Sequence, residues 1–228
     1  MPMQREVRKD LFRRWSSEMA YVFGLFAADG SMYKNKRGAC FLDFHSTDKS
    51  IVVAVRKILK SNHKITPRKR PLGHKTIYRL QVGSKEIFND LLCLGLTPAK
   101  SKTLIFPVVP RKYFGDFVRG YFDGDGCVYF KKHWIKKRKK KCWIFTSRFT
   151  SGSKKFLNSL LDELRKQGVR GGFIVNKKRG YELVLSRHDS VALYNIMYNN
   201  TLKSFCLKRK FVLFNKAIYT LWGRSSIG

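Results

Sequence analysis

The chain has 228 residues, of which 48 are Lys or Arg and 15 are Asp or Glu, and its formal net charge is +33. Hydrophobic residues make up 43% of the chain, which predicts a folded core and excludes a disordered basic tail. The charge predicts a polyanionic partner, and nucleic acid fits best because neutralised phosphates release counterions. Binding to a membrane surface would require a basic amphipathic helix or a lipidation signal, and the sequence has neither.

No apolar run approaches the roughly 20 residues of a membrane span. Residues 1–15 lack the apolar segment of a secretory signal and match a transit peptide poorly. Scattered cysteines without CxxC spacing favour reduced core thiols over a zinc site. We therefore expect an intracellular protein in a reducing compartment, either a prokaryotic cytoplasm or an organelle. It should not be secreted and should have no membrane partner and no small-molecule cofactor.

The first predicted elements are a helix, a hairpin, a helix, a hairpin and a helix. Ser16 or Ser17 can cap an almost wholly apolar helix that stops at Gly30. An alternating hairpin follows, and residues 48–61 then carry apolar side chains at helical spacing. The core side of the second hairpin is predicted to comprise Tyr78, Leu80 and Val82.

The same order recurs after a proline-containing linker, and Asp116 is predicted to cap the next helix. A long basic loop is predicted between the first two strands of this unit. Such self-similarity indicates two copies of one α+β subdomain in pseudo-twofold relation. The predicted divisions are a basic N-terminal arm (1–15), a first repeat (16–106), a linker (107–113), a second repeat (114–220) and a tail (221–228).

Each repeat opens with a related nonapeptide, VFGLFAADG at residues 22–30 and VRGYFDGDG at residues 118–126. Within each nonapeptide two small residues lie one helical turn apart. They share one helix face, where a second backbone can approach closely. These small residues are Gly24 and Ala28 in the first motif and Gly120 and Gly124 in the second.

A close crossing of the two motif helices would bring Asp29 and Asp125 side by side at the helix C-termini. Two adjacent carboxylates are costly unless cations neutralise them, and helix C-termini also favour positive charge. The pair therefore predicts a divalent-metal site of oxygen ligands, suited to Mg²⁺. One such helix alone would be better explained as a core helix that ends in a glycine turn, but two aligned acids favour a site.

The two nonapeptides resemble the signature motifs of the LAGLIDADG homing endonucleases, and the order of elements is similar to that family over residues 16–220. The resemblance implies an α+β fold of two pseudo-twofold αββαββα repeats, whose two antiparallel sheets form a DNA-binding saddle. It also implies a monomeric, site-specific endonuclease. Such an enzyme would hydrolyse one phosphodiester on each strand of a long, pseudo-palindromic double-stranded DNA target and leave short 3′ overhangs.

The eighth motif position in this family is a metal-binding acid, which falls on Asp29 and Asp125. The resemblance places Ala28 and Gly124 beside them in the metal site. It implies Mg²⁺ as the cofactor, with Mn²⁺ as a substitute and Ca²⁺ bound without cleavage. The sixth position is often acidic in the family. It is Asp123 in the second motif, whereas Ala27 departs from the pattern in the first.

The family also has a lysine near each scissile phosphate, which aligns with Lys100 and Lys208 and could stabilise charge that develops in the transition state. The residue that faces the pocket after the first hairpin turn of each repeat aligns with Ser46 and Ser151. A serine could position a water there, although the family often has a longer amide.

Strand alternation places a further set of side chains on the sheet face opposite the helices. Arg, Gln and acidic side chains on that face can read guanine, adenine and cytosine edges in the major groove. This set comprises Asp43, His45, Arg79 and Gln81 in the first repeat and Arg148, Thr150, Glu182 and Val184 in the second. Basic residues expected to contact phosphates are Lys34, Lys36, Arg37, Arg68, Lys69 and Arg70. Lys131 and Lys178 are also expected to bind DNA.

Residues 136–141 are all Lys or Arg and could form a nuclear localisation signal, but their position in a hairpin loop favours a clamp on the DNA backbone. Rival functions are an RNA-binding maturase or transcriptional regulator of the same fold, a structural chromatin protein, and an intein-embedded nuclease. The presence of both motif acids favours the enzyme, and the ordered repeats argue against a chromatin protein. We expect no intein-embedded form, because no splicing-domain sequence flanks the repeats.

Overall fold

The computed structural model describes residues 5–199 and 205–223, so the predicted N-terminal arm and tail lie partly outside the described residues. The first repeat contains α1 (Ser17–Asp29), β1 (Gly30–Lys34), β2 (Cys40–Ser46), α2 (Lys49–Ile58), β3 (Ile65–Arg68), β4 (Ile77–Gly83) and α3 (Lys85–Cys93). The second contains α4 (Phe114–Asp125), β5 (Gly126–Ile135), β6 (Lys140–Ser151), α5 (Lys154–Lys166), β7 (Phe173–Lys177), β8 (Gly180–Leu185), α6 (Arg187–Tyr198) and α7 (Lys208–Trp222).

Each repeat forms one four-stranded antiparallel sheet, in the order β1-β2-β4-β3 or β5-β6-β8-β7. The shared topology confirms the predicted α+β fold of two repeated units. The second repeat has one helix more than predicted, because residues after α6 form α7, which buries Phe214, Ala217 and Ile218. α7 packs against β5.

The two motif helices begin differently. The Ser16 side chain accepts a hydrogen bond from the Met19 backbone N–H (3.1 Å) and caps α1 as predicted. Asp116 does not cap α4. It lies inside the first turn, where its carboxylate accepts a 2.7 Å hydrogen bond from Arg119. The predicted cap is therefore wrong, because the buried Arg119 guanidinium, which is 2% exposed, takes this carboxylate as its partner.

The helices α1 and α4 cross at their glycines, and their contact is the most extensive between any two described elements. A Cβ atom added to Gly24 would lie 2.1 Å from the Phe117 carbonyl oxygen. One added to Gly120 would lie 2.0 Å from the Tyr21 carbonyl oxygen. The two backbones therefore touch reciprocally, which confirms the predicted interface between the motif helices and aligns their C-terminal ends.

Both sheets bury one face against helices. Phe44 pairs with Leu80 across β2 and β4, Phe149 pairs with Leu183 across β6 and β8, and each is at most 1% exposed. Because side chains alternate along a strand, the neighbours of these residues point to the open face of each sheet. The predicted division into a core face and an open face is confirmed.

The first hairpins of the two repeats differ in length. The strands β1 and β2 pair over five positions and end at Lys34↔Cys40. The strands β5 and β6 pair over ten positions and end at Ile135↔Lys140. The prediction of a long basic loop is therefore wrong, because this segment is a two-stranded ribbon with a tight turn at its tip. We call residues 131–141 the hairpin extension.

In the described part of the chain, no helix has both the length and the apolar character needed to cross a membrane. The described residues include all five cysteines, and none of them forms a disulfide. Cys40 is buried, Cys142 and Cys206 are half-buried, and Cys93 and Cys127 are exposed. The prediction of core thiols is thus confirmed for Cys40 and wrong for Cys93, at the end of α3, and for Cys127, on the open face of β5.

Candidate active site

Asp29 and Asp125 are the last residues of α1 and α4, so the crossing of these helices determines their separation. The helices are still in contact at this end. A Cβ atom added to Gly124 would lie 2.5 Å from the Ala28 Cβ atom and 3.2 Å from an Asp29 carboxylate oxygen. The structure therefore brings the two predicted metal-binding acids together between the two sheets.

The surroundings of this acid pair favour the neutral carboxyl. Burial and, second, the neighbouring Asp29 carboxylate raise the pKa of Asp125 to about 7. Asp29 is still accessible to solvent, but the protein around it also raises its pKa, against the opposing effect of Lys210 and Lys100. A carboxylate pair with raised pKa values has an unmet demand for positive charge, which a divalent cation would supply.

One lysine in each repeat binds the end of its motif helix. Lys100 donates a hydrogen bond to the carbonyl of Gly30, the C-cap residue that follows α1. Lys210 donates hydrogen bonds to the carbonyls of Phe122 (2.6 Å) and Asp123 (2.9 Å) near the end of α4. Both ammonium groups are buried and satisfy carbonyls at the negative end of a helix dipole. The two lysines are structural equivalents.

This geometry corrects the predicted equivalence of Lys208 with Lys100. Lys208 is exposed at the first residue of α7, and it is Lys210, two residues further along that helix, that points toward α4. Burial lowers the pKa of Lys100, although the carboxylates of Asp125 and Asp29 oppose the shift. Burial also lowers the pKa of Lys210, to about 8. The protein therefore holds two ammonium groups that are costly to bury close to the acid pair.

The sixth motif position of the second repeat forms a buried link that sequence reasoning did not assign. Asp123, which is 4% exposed, accepts hydrogen bonds from the Tyr21 hydroxyl (2.9 Å) and the Leu207 backbone N–H (2.7 Å). Burial raises its pKa to about 6. Asp123 thus joins α1 to the start of α7 and helps to position Lys210, a role that Ala27 cannot fill in the first repeat. The available signal was an acid at a motif position where the first repeat has Ala27.

Ser46 and Ser151 are the last residues of β2 and β6. Their hydroxyls accept hydrogen bonds from the backbone N–H groups of Asp48 and Ser153, both at 3.1 Å, and so close the turns into α2 and α5. Ser46 also lines a cavity of about 290 Å³ beside Asp29. The role of the two serines in positioning a water stays a prediction.

The open face of the first sheet carries the side chains that were expected to read bases. Arg79 donates two hydrogen bonds to the Asp43 carboxylate (2.6 and 3.1 Å), and Asp43 is only 5% exposed. Gln81 donates a hydrogen bond to the Tyr33 hydroxyl (2.6 Å). His45 pairs with Arg79 across the strands, and its Nε2 atom is buried without a hydrogen-bond partner. Asp43 therefore orients the Arg79 side chain, and its carboxylate is already hydrogen-bonded within the sheet.

The second sheet carries the opposite order of charges. Arg148 on β6 lies 3.8 Å from Glu182 on β8, whereas the first sheet has its acid on β2 and its arginine on β4. Lys177 also lies 3.1 Å from Glu182. Thr150 is exposed opposite Glu182, and Val184 lies opposite Arg148. Equivalent positions of the two sheets therefore carry exchanged charges.

The basic side chains expected to bind DNA are exposed on hairpins and strand ends. They are Lys34, Lys36, Arg37, Arg68, Lys69, Arg70, Lys131 and Lys178. The six cations of residues 136–141 lie at the tip of the hairpin extension. Positive charge therefore lies along both sheets and is most concentrated on the second.

The donor set at the acid pair fits a hard divalent cation. The described residues contain no cluster of three or more His, Cys, Asp or Glu side chains, so the available donors are two carboxylates and backbone carbonyls. Mg²⁺ is commonly held by one or two carboxylates together with waters and substrate phosphates. Asp29 and Asp125, with the carbonyls of Ala28 and Gly124, would hold such an ion once nucleic acid completes its coordination.

Comparisons with known proteins agree with this arrangement. Residues 16–92 match the model of a family described as the LAGLIDADG-like domain. An uncharacterized protein of Methanocaldococcus jannaschii is 26% identical over 203 residues, which cover 86% of this chain and 69% of that protein. The match extends across both repeats and both sheets.

Several solved structures are similar over most of the chain. The homing endonuclease I-WcaI bound to its DNA recognition sequence has a TM-score of 0.58 and 17% identity, and the match covers 89% of this chain and 91% of that one. The LAGLIDADG meganuclease I-AabMI bound to uncleaved DNA has a TM-score of 0.61 and 11% identity, and the match covers 88% of each chain. I-SmaMI bound to an uncleaved DNA target in the presence of calcium ions has a TM-score of 0.53 and 13% identity, and the match covers 94% of this chain and 97% of that one. Residues 16–92 thus match the LAGLIDADG-like domain, and the chain has the two-repeat fold of these homing endonuclease structures.

Proposed function

We propose that this protein is a site-specific endonuclease that cuts both strands of double-stranded DNA. The observation that carries the proposal is the pairing of Asp29 and Asp125 at the helix crossing, with Lys100 and Lys210 bound to the two helix ends. The surrounding protein disfavours the charged form of each of these four groups, of which Asp29 is still accessible to solvent. Ionisable groups with perturbed pKa values cluster at catalytic sites.

DNA is the proposed partner because two basic sheet faces flank the acid pair. Arg79 and Gln81 on the first sheet and Arg148 on the second have the donors that read purine edges in the major groove. Since the two sheets carry different side chains, the target is proposed to be long and only approximately palindromic. One chain already contains both halves of the site, so the protein is proposed to act as a monomer.

The residues of the chain contribute binding, orientation and charge to the proposed reaction. The two sheets hold the duplex so that one scissile phosphate of each strand lies over the acid pair. An ammonium group has three N–H donors, so Lys100 keeps donors for a phosphate after it binds Gly30. Lys100 and Lys210 place positive charge where negative charge develops on the phosphate. Short 3′ overhangs are the proposed products.

Asp29 and Asp125 are the proposed ligands of the divalent cation, which is Mg²⁺ with Mn²⁺ as a substitute. When bound, the cation supplies Lewis-acid chemistry at the phosphate and at water. Both acids must be deprotonated to act as ligands. Their raised pKa values therefore link metal binding to pH, with weaker binding in acid.

Selection of cleaved targets from a randomised DNA library tests this function. In Mg²⁺ or Mn²⁺ we expect one family of long, imperfect palindromes with cuts on both strands, and sequencing of the cut ends gives the overhang. EDTA should abolish cutting, and Ca²⁺ should support binding alone. Cleavage that persists in EDTA, or no cleavage of any library member in either metal, would contradict the proposal. Binding to structured RNA without DNA cleavage would favour the maturase instead.

A further inference from the structure

Arg209 and Asp48 form an ion pair between the two repeats. The Arg209 Nη2 and Nε groups lie 2.9 and 3.3 Å from one Asp48 carboxylate oxygen. Asp48 precedes α2 in the first repeat, and Arg209 is the second residue of α7 in the second. The Arg209 side chain is 60% exposed and that of Asp48 is 27% exposed. Solvent therefore weakens the pair, and stability alone is a poor reason for its presence.

Both residues line the cavity of about 290 Å³ beside Asp29, which Gly124 and His45 also line. A second cavity of about 370 Å³ shares His45 with the first and is lined further along by Arg79 on the open sheet face. Arg209 thus lies in the space that connects a proposed metal ligand of the first repeat with the proposed DNA-reading face.

The local structure at both ends of the pair is unfavourable. The helix α7 begins with three consecutive cations at residues 208–210, although the helix dipole is positive at its N-terminus. Asp48 occupies the N-cap position of α2 without making a capping bond, whereas Ser153 caps α5 with its hydroxyl. Local rules broken together in this way are typical of functional sites. A polyanion bound beside these cations would relieve the repulsion at α7.

The other side of the acid pair is built differently. Since Lys100 corresponds to Lys210, Ala99 is the counterpart of Arg209. The equivalent turns after β2 and β6 make Ser153 the counterpart of Asp48. Among the described residues, the guanidinium–carboxylate pair therefore occurs on the Asp29 side alone.

We propose that Arg209 is a phosphate-binding residue on the Asp29 side of the site, held by Asp48 in the free protein and transferred to a phosphate of one DNA strand in the complex. This proposal rests on the proposed endonuclease function. A guanidinium binds carboxylate and phosphate with the same forked geometry, so a phosphate can replace Asp48 as its partner. Because the existing ion pair is partly exposed, the exchange costs little. Only one strand is bound in this way, so the two strands are not cut equivalently.

Single-turnover cleavage of a target duplex with a different label on each strand tests the proposal. Arg209→Ala is expected to slow the cutting of one strand on the order of 10²-fold and to leave the other near the wild-type rate, so that nicked duplex accumulates. Lys216→Ala removes an exposed cation from the same helix and is the matched control, with both strands cut at wild-type rates. Asp48→Ser frees Arg209 and restores a capping hydroxyl, and we expect it to bind DNA more tightly.

Equal slowing of both strands by Arg209→Ala, or no slowing of either, would overturn the proposal. Equal losses of melting temperature in Arg209→Ala and Asp48→Ser, with an unchanged ratio of strand cleavage, would also overturn it. The ion pair would then only stabilise the contact between the repeats. Failure of the endonuclease function itself is distinguishable, since the wild-type protein would then cut neither strand.

Discussion

The two sheets have the same strand order, but their open faces differ. The first sheet places Asp43 beside Arg79, and at the equivalent positions the second places Arg148 beside Glu182. The second sheet also carries the hairpin extension, for which the first has only a short turn. The two acids, the crossing glycines and the buried lysines are common to both repeats. The Asp123 link, the Arg209–Asp48 pair and the open faces differ between them.

The hairpin extension makes the first hairpin of the second repeat longer than that of the first. It contains no acidic residue and is mostly Lys and Arg. Its base is fixed by Trp143, whose ring stacks on Phe130 at 4.2 Å, and by Lys132 over the Trp143 ring at 5.1 Å. At about 3.4 Å per residue, its five extra strand pairs reach about 17 Å beyond the first hairpin. That is the axial length of about five base pairs, so the second half-site should be the longer one.

The features common to both repeats should be the most sensitive to change. Gly120→Ala and Gly24→Ala each force a methyl group into the backbone of the partner helix. Each should lower the free energy of unfolding by about 3 kcal/mol or more, measured by urea denaturation. Gly83→Ala is the control, because its Cβ atom would lie 3.6 Å from the nearest atom, at an ordinary van der Waals distance from Phe41. Destabilisation by only one of the two variants would contradict a reciprocal crossing.

The hairpin extension should carry the largest part of the asymmetry in DNA binding. Replacement of Lys136, Lys137 and Arg138 by Gln removes up to three cations that bind phosphates. The slope of log K against log salt should become shallower by about 0.9 for each phosphate that is no longer neutralised, and affinity at physiological salt should fall about 10²-fold. The nuclease footprint should shorten at one end only.

The control for this variant is replacement of Lys155, Arg165 and Lys166 by Gln. These exposed cations lie on α5, which packs on the other face of the same sheet. An equal change of slope in both triple variants would show that net charge acts without regard to its position, and the assignment of the hairpin extension to DNA would be wrong.

The exchanged charges of the two sheets should appear as separate changes of specificity. Arg79→Ala should relax base preference at a position in the first half-site, and Arg148→Ala should do so in the second. Each loss of discrimination should amount to about 1–3 kcal/mol. The measurement is target selection with each variant. Uniform weakening across all target positions would mean that these arginines contact phosphates rather than bases.

The acid pair should make stability depend on pH. The pKa of Asp125 is about 7 in the folded protein and about 3.9 in an unfolded chain. Between these values the folded state binds more protons, so in EDTA the free energy of unfolding should fall as pH rises through this window. Asp125→Asn should make this decrease smaller, because the raised pKa values of Asp29 and Asp123 remain, and it should be more stable than the wild type by about 1 kcal/mol or more at pH 8.

Asp29→Asn should give a smaller gain, because it removes only one of the causes of the Asp125 shift. Urea denaturation at pH 5 and pH 8 measures these differences. Asp162→Asn, which removes an exposed acid on α5, should have the same pH dependence as the wild type. Parallel curves for wild type and Asp125→Asn would show that the Asp125 carboxyl is not perturbed.

Features determined within one turn or one strand could be predicted from the sequence. The cap at Ser16, the alternation around Leu80 and the paired motif glycines each depend on neighbouring residues. The position of the acid pair followed from the glycines, because a close helix crossing also fixes what lies at the helix ends. The repeat made this inference possible, since one motif alone would have fitted a core helix.

Features that depend on distant partners could not be predicted. The carbonyls that Lys210 binds are more than 80 positions away in sequence, so alignment of the two lysine-containing segments pointed to Lys208 instead. Asp116 has the chemistry of a cap, but buried Arg119 competes for its carboxylate. The hairpin extension is a strand pair without hydrophobic alternation, and its structure comes from continued pairing with β6.

The central proposal is that Asp29 and Asp125 hold the catalytic metal while the sheets hold the DNA. Its most direct test is a gel shift in Ca²⁺ beside plasmid linearisation in Mg²⁺, with the wild type, Asp29→Asn and Asp125→Asn. Asparagine keeps the size of the side chain but removes the charge of the ligand. We expect both variants to bind the target with near-wild-type affinity and to make no double-strand breaks. Linearisation at the wild-type rate by both variants would contradict the catalytic assignment.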